Sequence, residues 1–213
     1  MSKYVMKARF TILFAALCLS CAHTEKYMAP GKSETIVATL PTTTVKPEWL
    51  ITPGVAIGLT AIEDDTSKLE MLGTPDQSDA AMGKAWMTWY GKKTDSMRDE
   101  LNIYTTYKDN ELKEKVVRQI RVTSAEFKTK NGISTESAFA EIMQAYPRLQ
   151  TVAKYDNSDT KIETTIYDDV ASGIAFEINN PFGKSRCAAI IVHPKGKKVT
   201  DEYIYPNPYT IVL

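Results

Sequence analysis

The feature that most constrains the fold is an internal repetition: one order of segments occurs twice. Gly54-Val-Ala-Ile-Gly58 leads to a short helix-like segment ending Met71-Leu72-Gly73-Thr74-Pro75. Asn131-Gly132-Ile133 leads to another, ending Gln144-Ala145-Tyr146-Pro147. Three strand-like runs follow each. In the second copy Phe139, Ile142, Met143 and Tyr146 recur at i, i+3, i+4 and i+7, the spacing of one helix face. Ser137 is placed to cap that helix and Pro147 to stop it. In the first copy Asp64 or Asp65 supplies the cap, Leu69 and Leu72 the apolar stripe, and Gly73 and Pro75 the end.

The strand runs alternate. Ile174, Phe176 and Ile178 point one way, Ala175 and Glu177 the other. Ile162, Thr164 and Ile166 alternate with Glu163, Thr165 and Tyr167. Residues 187–192 are apolar on both faces, which predicts a central strand. Residues 85–90, 101–107 and 116–122 hold the corresponding places in the first copy. The expected class is therefore α+β: two αβββ repeats, 49–124 and 125–194, with helices on one face. A lone unit of this size has little core, so the two antiparallel sheets are expected to join or pack together. The tail, 195–213, contains Pro206 and Pro208, ends apolar and is expected to pack back.

Gly54, Gly58, Leu72-Gly73-x-Pro75, Gly132, Ser137 and Tyr146 together resemble the tandem fold of the β-lactamase inhibitor proteins. A single unit is also similar to the small lipoprotein of the outer-membrane β-barrel assembly machine. The resemblance spans about residues 50–194. The second copy departs from it, since Pro147 stands where the family has glycine. Many bacterial envelope proteins are similar to it, and no inhibitory residue is carried over by these positions. A shared fold would not by itself give a function.

The N-terminus carries an address. Lys3, Lys7 and Arg9 precede an uncharged apolar run, 10–19, then Ser20 and Cys21. That order predicts a secretory signal, 1–20, and its ending resembles the lipobox of bacterial lipoproteins. The run is shorter than the ~20 apolar residues a membrane span takes. Cleavage before Cys21 leaves the small Ser20 at the cut, whereas cleavage before Cys18 would leave Leu17. Cys21 is thus the expected lipidation site, with ordinary cleavage and a soluble periplasmic protein as the alternative. Acyl chains at about 0.8 kcal/mol per buried methylene would anchor it stably. Residues 22–48 are rich in Thr, Pro, Ala and Lys and are expected to form a flexible tether averaging roughly 30 Å end to end. The alternative is an edge strand at 36–40. In the enterobacterial scheme an aspartate after the lipidated cysteine retains the protein in the inner membrane. Ala22 stands there, which favours the outer membrane, facing either the periplasm or the exterior.

Partners and chemistry are narrowed mostly by what is missing. Lys plus Arg equals Asp plus Glu at 26 each, without the basic excess of a nucleic-acid binder. With Cys18 removed and Cys21 lipidated, Cys187 has nothing to pair with and reads as a small buried hydrophobe. Of the two histidines, His23 lies in the tether and His193 ends an apolar strand. Cys187 and His193 would lie about 20 Å apart on one strand, too far to share a zinc ion. Gly-Lys-Ser at 31–33 and 183–185 lacks the earlier glycine of a phosphate loop. The acidic groups at 63–65, 156–159 and 168–169 lack a calcium-loop spacing and read as caps and turns. No cofactor, metal or catalytic set is expected, although Glu63, Asp169 or Glu177 could join a site assembled only by the fold.

The aromatics give the candidate binding face: Trp86, Trp89, Tyr90 and Tyr104. Trp86, Thr88 and Tyr90 face one side of their strand, and Ala85, Met87 and Trp89 the other. Tyr104 and Tyr107 face opposite ways on the next strand. Core packing explains one face; a wet second face would present anchors of the kind found at protein and sugar interfaces. The expected function is a non-enzymatic envelope lipoprotein that binds a protein. Carbohydrate or peptidoglycan binding is the alternative, and an enzyme without a recognisable motif the third class.

Overall fold

Alternating apolar residues closed off by turns make strands, and strands dominate the computed structural model. It describes residues 45–93, 98–157, 162–180, 185–202 and 211–212. The signal, Cys21 and most of the tether, including the edge strand considered at 36–40, lie outside the described residues, as does 203–210 of the tail.

A 3-10 turn, Pro47–Trp49, leads to three short strands: β1 (Leu50–Thr52), β2 (Ala56–Ile57) and β3 (Thr60–Ala61). A second 3-10 segment, Thr66–Leu72, precedes β4 (Gln77–Ala81), β5 (Lys84–Lys93), β6 (Arg98–Tyr107) and β7 (Lys115–Val122). Then come β8 (Lys128–Thr129), α1 (Phe139–Ala145), β9 (Gln150–Asn157), β10 (Ile162–Asp169), β11 (Ile174–Asn179) and β12 (Arg186–Val192). The chain closes with α2 (Val199–Glu202) and β13 (Ile211–Val212). The small sheet runs β3-β2-β1-β8 and the large one β13-β9-β10-β11-β12-β7-β6-β5-β4.

The expected α+β class is wrong. Strands hold 49% of the interpretable residues and helical turns 14%, too little helix to form a layer on the sheet. The first helical segment is a 3-10 run capped by Asp65, whose carboxylate accepts the Ser67 N–H at 2.8 Å. The second has seven residues. Gly73 and Pro147 stop both after about two turns, so each delivers only a few side chains to the core, chiefly Leu69 from one and Ile142 and Tyr146 from the other. The αβββ unit is wrong as well, because four strands follow each turn. The extra ones are β4, exposed at every position, and β9. Ala138 rather than Ser137 sits at the helix start, where Glu141 accepts its N–H at 2.9 Å.

The strands follow the sequence in two antiparallel meanders, β4 to β7 and β9 to β12. Three residue pairs of β7 and β12 join them: Val122 with Ile190, Arg121 with Ile191, and Ile120 with Val192. β12 is the fifth of nine strands, which accounts for its apolar residues on both faces. One face carries the main core: Ile103, Val117, Ile120, Val122, Ile174, Phe176 and Ile190, packed with Ile51 and Ile57 of the small sheet. The small sheet is held by a close backbone approach. Gly54 N–H donates to Gly173 O at 3.0 Å, and a Cβ on Gly173 would lie 2.7 Å from the Gly54 Cα. Both glycines have positive φ, 68° and 74°, so the contact requires glycine at each.

The opposite face differs between the meanders. Over β9–β12 it carries an apolar cluster (Val152, Ala153, Ile166, Ala175 and Ile191) packed with Val199 of α2, beside two buried carboxylates, Glu177 across from Ile166 and Asp168 across from Ala175. Over β4–β7 it is polar and aromatic.

Candidate functional site

Period-two alternation sends Trp86, Thr88 and Tyr90 to this polar face. Cross-strand pairing sets Trp86 beside Tyr104 and Gln119, Thr88 beside Asn102 and Arg121, and Tyr90 beside Glu100. The edge strand adds Gln77 beside Thr88 and Asp79 beside Trp86. Together Gln77, Ser78, Asp79, Trp86, Thr88, Tyr90 and Glu100 line a half-open hollow of ≈ 420 Å³.

The candidate aromatics do not form one patch. Trp86, Tyr90 and Tyr104 share the polar face, with Trp86 at 6% exposure and Tyr104 at 2%. Tyr90 is half-buried, and the Arg98 guanidinium stands 4.9 Å from its ring centroid. Trp89 lies on the opposite face against the main core, where its indole Nε1 donates to Gly73 O at 3.1 Å. Trp89 is thus a half-buried side chain packed against the core from the other face, and the floor of the hollow is Trp86. Cys21 lies outside the described residues.

A buried polar network borders the hollow. Arg121 forks onto Glu177, Nε to Oε1 and Nη2 to Oε2, both at 2.8 Å. Its Nη1 donates to Asn102 Oδ1 at 2.8 Å and to Glu100 Oε2 at 3.3 Å. Asn102 Nδ2 donates to Thr88 Oγ1 at 3.0 Å, and Tyr155 O–H to Glu177 Oε2 at 3.2 Å. Burial alone would lower the basicity of Arg121. The Glu177 carboxylate outweighs that, and the guanidinium is held above its ordinary value. Burial, then the Glu177 charge, pushes the Tyr155 hydroxyl well up. The network crosses from the first meander to the second and carries one carboxylate, Glu100, to the wall of the hollow.

Single-strand reading placed Glu177 only as a hidden possibility and missed Arg121, Asn102 and Glu100. Arg121 stands between Ile120 and Val122 and Asn102 between Leu101 and Ile103, which is the ordinary alternation of a strand with one wet face, so no sequence signal set them apart.

His193 has a partner as well. Its Nε2 lies 3.0 Å from Asp168 Oδ1, with both side chains fully buried. The other Asp168 oxygen accepts the Val199 N–H at 2.9 Å, so the pair clasps the start of α2. The ring's Nδ1 lies 3.2 Å from Pro194 O. Cys187 lies in the main core on the other face, its thiol pushed up by burial and then by the Glu177 charge. Among the described residues no group of three or more His, Cys, Asp or Glu is placed to hold a metal. No helix among them is long and apolar enough to cross a membrane.

No family model, curated protein or solved structure matches the chain.

Proposed function

We propose that this chain is a non-enzymatic envelope lipoprotein, anchored through Cys21, that binds a partner protein at the hollow on β4, β5 and β6. The observation that carries the reading is the contrast between the meanders. The second packs an aliphatic cluster under Val199 on its outer face and pairs its buried carboxylates there, Glu177 with Arg121 and Asp168 with His193, while the first leaves Gln77, Asp79, Tyr90 and Glu100 lining an open hollow over a Trp86 floor. A buried aromatic floor with a polar rim is the anatomy of a binding site. The signal and Cys21 supply the location, with the outer membrane favoured by Ala22.

A protein partner fits better than a glycan. Sugar recognition by aromatics takes an exposed ring face. Trp86 is buried, and Arg98 stands over Tyr90. What lines the hollow is two carboxylates, Asp79 and Glu100, the Gln77 amide and the hydroxyl-bearing Ser78, Thr88 and Tyr90.

The test is photo-crosslinking in native envelopes. A photoreactive residue at 77 or 90 is expected to trap one discrete protein, and the same residue at Leu112, on the exposed β6–β7 loop, none. Cys21→Ala should release the protein from membranes and reduce the yield. The same product from position 112, or none at all, sinks the reading.

A further inference from the structure

The hollow borders a sheet edge that no described strand covers. β4 terminates the large sheet, and all five of its residues are exposed. Edges are normally blunted by charged side chains, proline, a bulge or a covering loop. β4 reads Gln-Ser-Asp-Ala-Ala and pairs with β5 over five consecutive residues without a register shift. Its only charge is Asp79.

The direction of the free backbone groups follows from the turn. Met82 and Gly83 join β4 to β5 with φ of 48° and 80°, a two-residue turn of the I′ kind. Ala81 and Lys84, which close that turn, form a hydrogen-bonded pair. Alternation then makes Asp79 with Trp86 and Gln77 with Thr88 hydrogen-bonded pairs too. The N–H and C=O of Ser78 and Ala80 therefore point away from the sheet. They form a strand template beside the hollow.

We propose that β4 takes up an extended segment of a partner protein as an added strand, with a lysine or arginine of that segment opposite Asp79. This rests on the binding-face reading above and specifies its mode. An added strand would lie roughly 4.8 Å beyond β4, and its alternate side chains would face the hollow. Asp79 makes no ion pair among the described residues, whereas the other carboxylate of the hollow, Glu100, already faces Arg121. A basic side chain directly opposite Asp79 completes the charge pairing. The same residue argues against a second copy of this chain. The antiparallel self-pairing that uses all five residues sets Asp79 against its own copy, and like charges directly opposite are destabilising.

The test uses the full-length protein in detergent and capped strand-length peptides of alternating Thr and Val. These peptides are identical except for Lys, Thr or Glu at the centre. The lysine peptide is expected to slow amide exchange at Ser78 and Ala80 and to bind about tenfold tighter than the glutamate peptide. Asp79→Lys should reverse that order. Ala80→Pro removes an outward N–H without costing a β4–β5 ladder bond, so it should abolish protection while circular dichroism stays unchanged. Equal binding of the Lys and Glu peptides, or unchanged exchange at Ser78 and Ala80, overturns the proposal. Crosslinks at 77 and 90 that survive Ala80→Pro overturn strand addition and leave the binding face standing. Absence of those crosslinks in the unaltered protein removes the binding face itself, and this inference with it.

Discussion

Glu177 is the residue on which most of the buried polar chemistry converges. It accepts both arms of Arg121 and the Tyr155 hydroxyl, at no exposure of its own. A buried pair of this kind adds little net stability against an apolar alternative, but removing one partner strands the other charge. Glu177→Ala is expected to cost about 3–5 kcal/mol in urea unfolding. Arg121→Met should cost a similar amount. The double variant Arg121→Met with Glu177→Leu should recover much of the loss, because neither charge is then left behind. Strict additivity of the two single changes would show that the fork is not the interaction that matters. Asp168 follows the same logic at smaller scale. Asp168→Ala leaves His193 Nε2 and the Val199 N–H without their partner, with an expected cost of about 2–4 kcal/mol and exposure of α2 to protease.

At the scale of elements, the β4–β5 hairpin is the piece with the most specific requirements. A Cβ on Gly83 would lie 2.1 Å from Tyr107 Cε2, and φ is already 80°. Gly83→Ala is therefore expected to destabilise by about 1–3 kcal/mol, and adding Tyr107→Ala should relieve the steric part alone. Met82, 95% exposed with φ of 48°, is a poor residue for its position. Met82→Asn should raise stability by up to about 1 kcal/mol, since asparagine tolerates this conformation and leads type I′ turns. A loss on Met82→Asn would mean that Met82 makes contacts its exposure does not show. The same hairpin marks how far the sequence could be read. Residues 85–90 alternate clearly, so β5 and its two faces were legible. β4 was not, because Gln-Ser-Asp-Ala-Ala has neither β-branched residues nor an apolar face and is a strand only because β5 pairs with it. β9 was missed for a related reason: Thr151, Lys154 and Tyr155 blur its alternation, and it gains its order from β10. The helices were over-read. Phe139, Ile142 and Tyr146 do meet the core, but the spacing of one face says nothing about length, and Pro147 closes the helix as soon as that face is complete. The aromatic face was half-legible: parity separated Trp86 and Tyr90 from Trp89, but only tertiary packing shows which of the two faces is core.

For the whole molecule, the seam between the meanders decides how the fold responds to pH. Only three residue pairs of β7 and β12 join them, and the Arg121–Glu177 fork crosses the same line. Two groups near Glu177, the Tyr155 hydroxyl and the Cys187 thiol, are buried and held protonated above their ordinary values. An unfolded chain would release those protons near pH 9 for the cysteine and near pH 10 for the tyrosine. Above these values the unfolded state binds fewer protons than the folded one, so unfolding free energy falls as pH rises. Stability should thus be level through neutrality and decline from about pH 9, by at most about 1.4 kcal/mol per pH unit for each group. Asp65 acts at the other end. Its carboxylate is held below its ordinary value by the Ser67 hydrogen bonds, so its cap is lost as pH falls through that lowered value. Urea unfolding across pH 7 to 11 checks the alkaline limb, with Tyr155→Phe as the informative variant. It loses the hydrogen bond to Glu177 and should be less stable at pH 7, yet its decline above pH 10 should be shallower by the share of one proton. If unaltered protein and variant fall in parallel, the alkaline loss lies elsewhere, and the cluster at the seam is not what limits the fold.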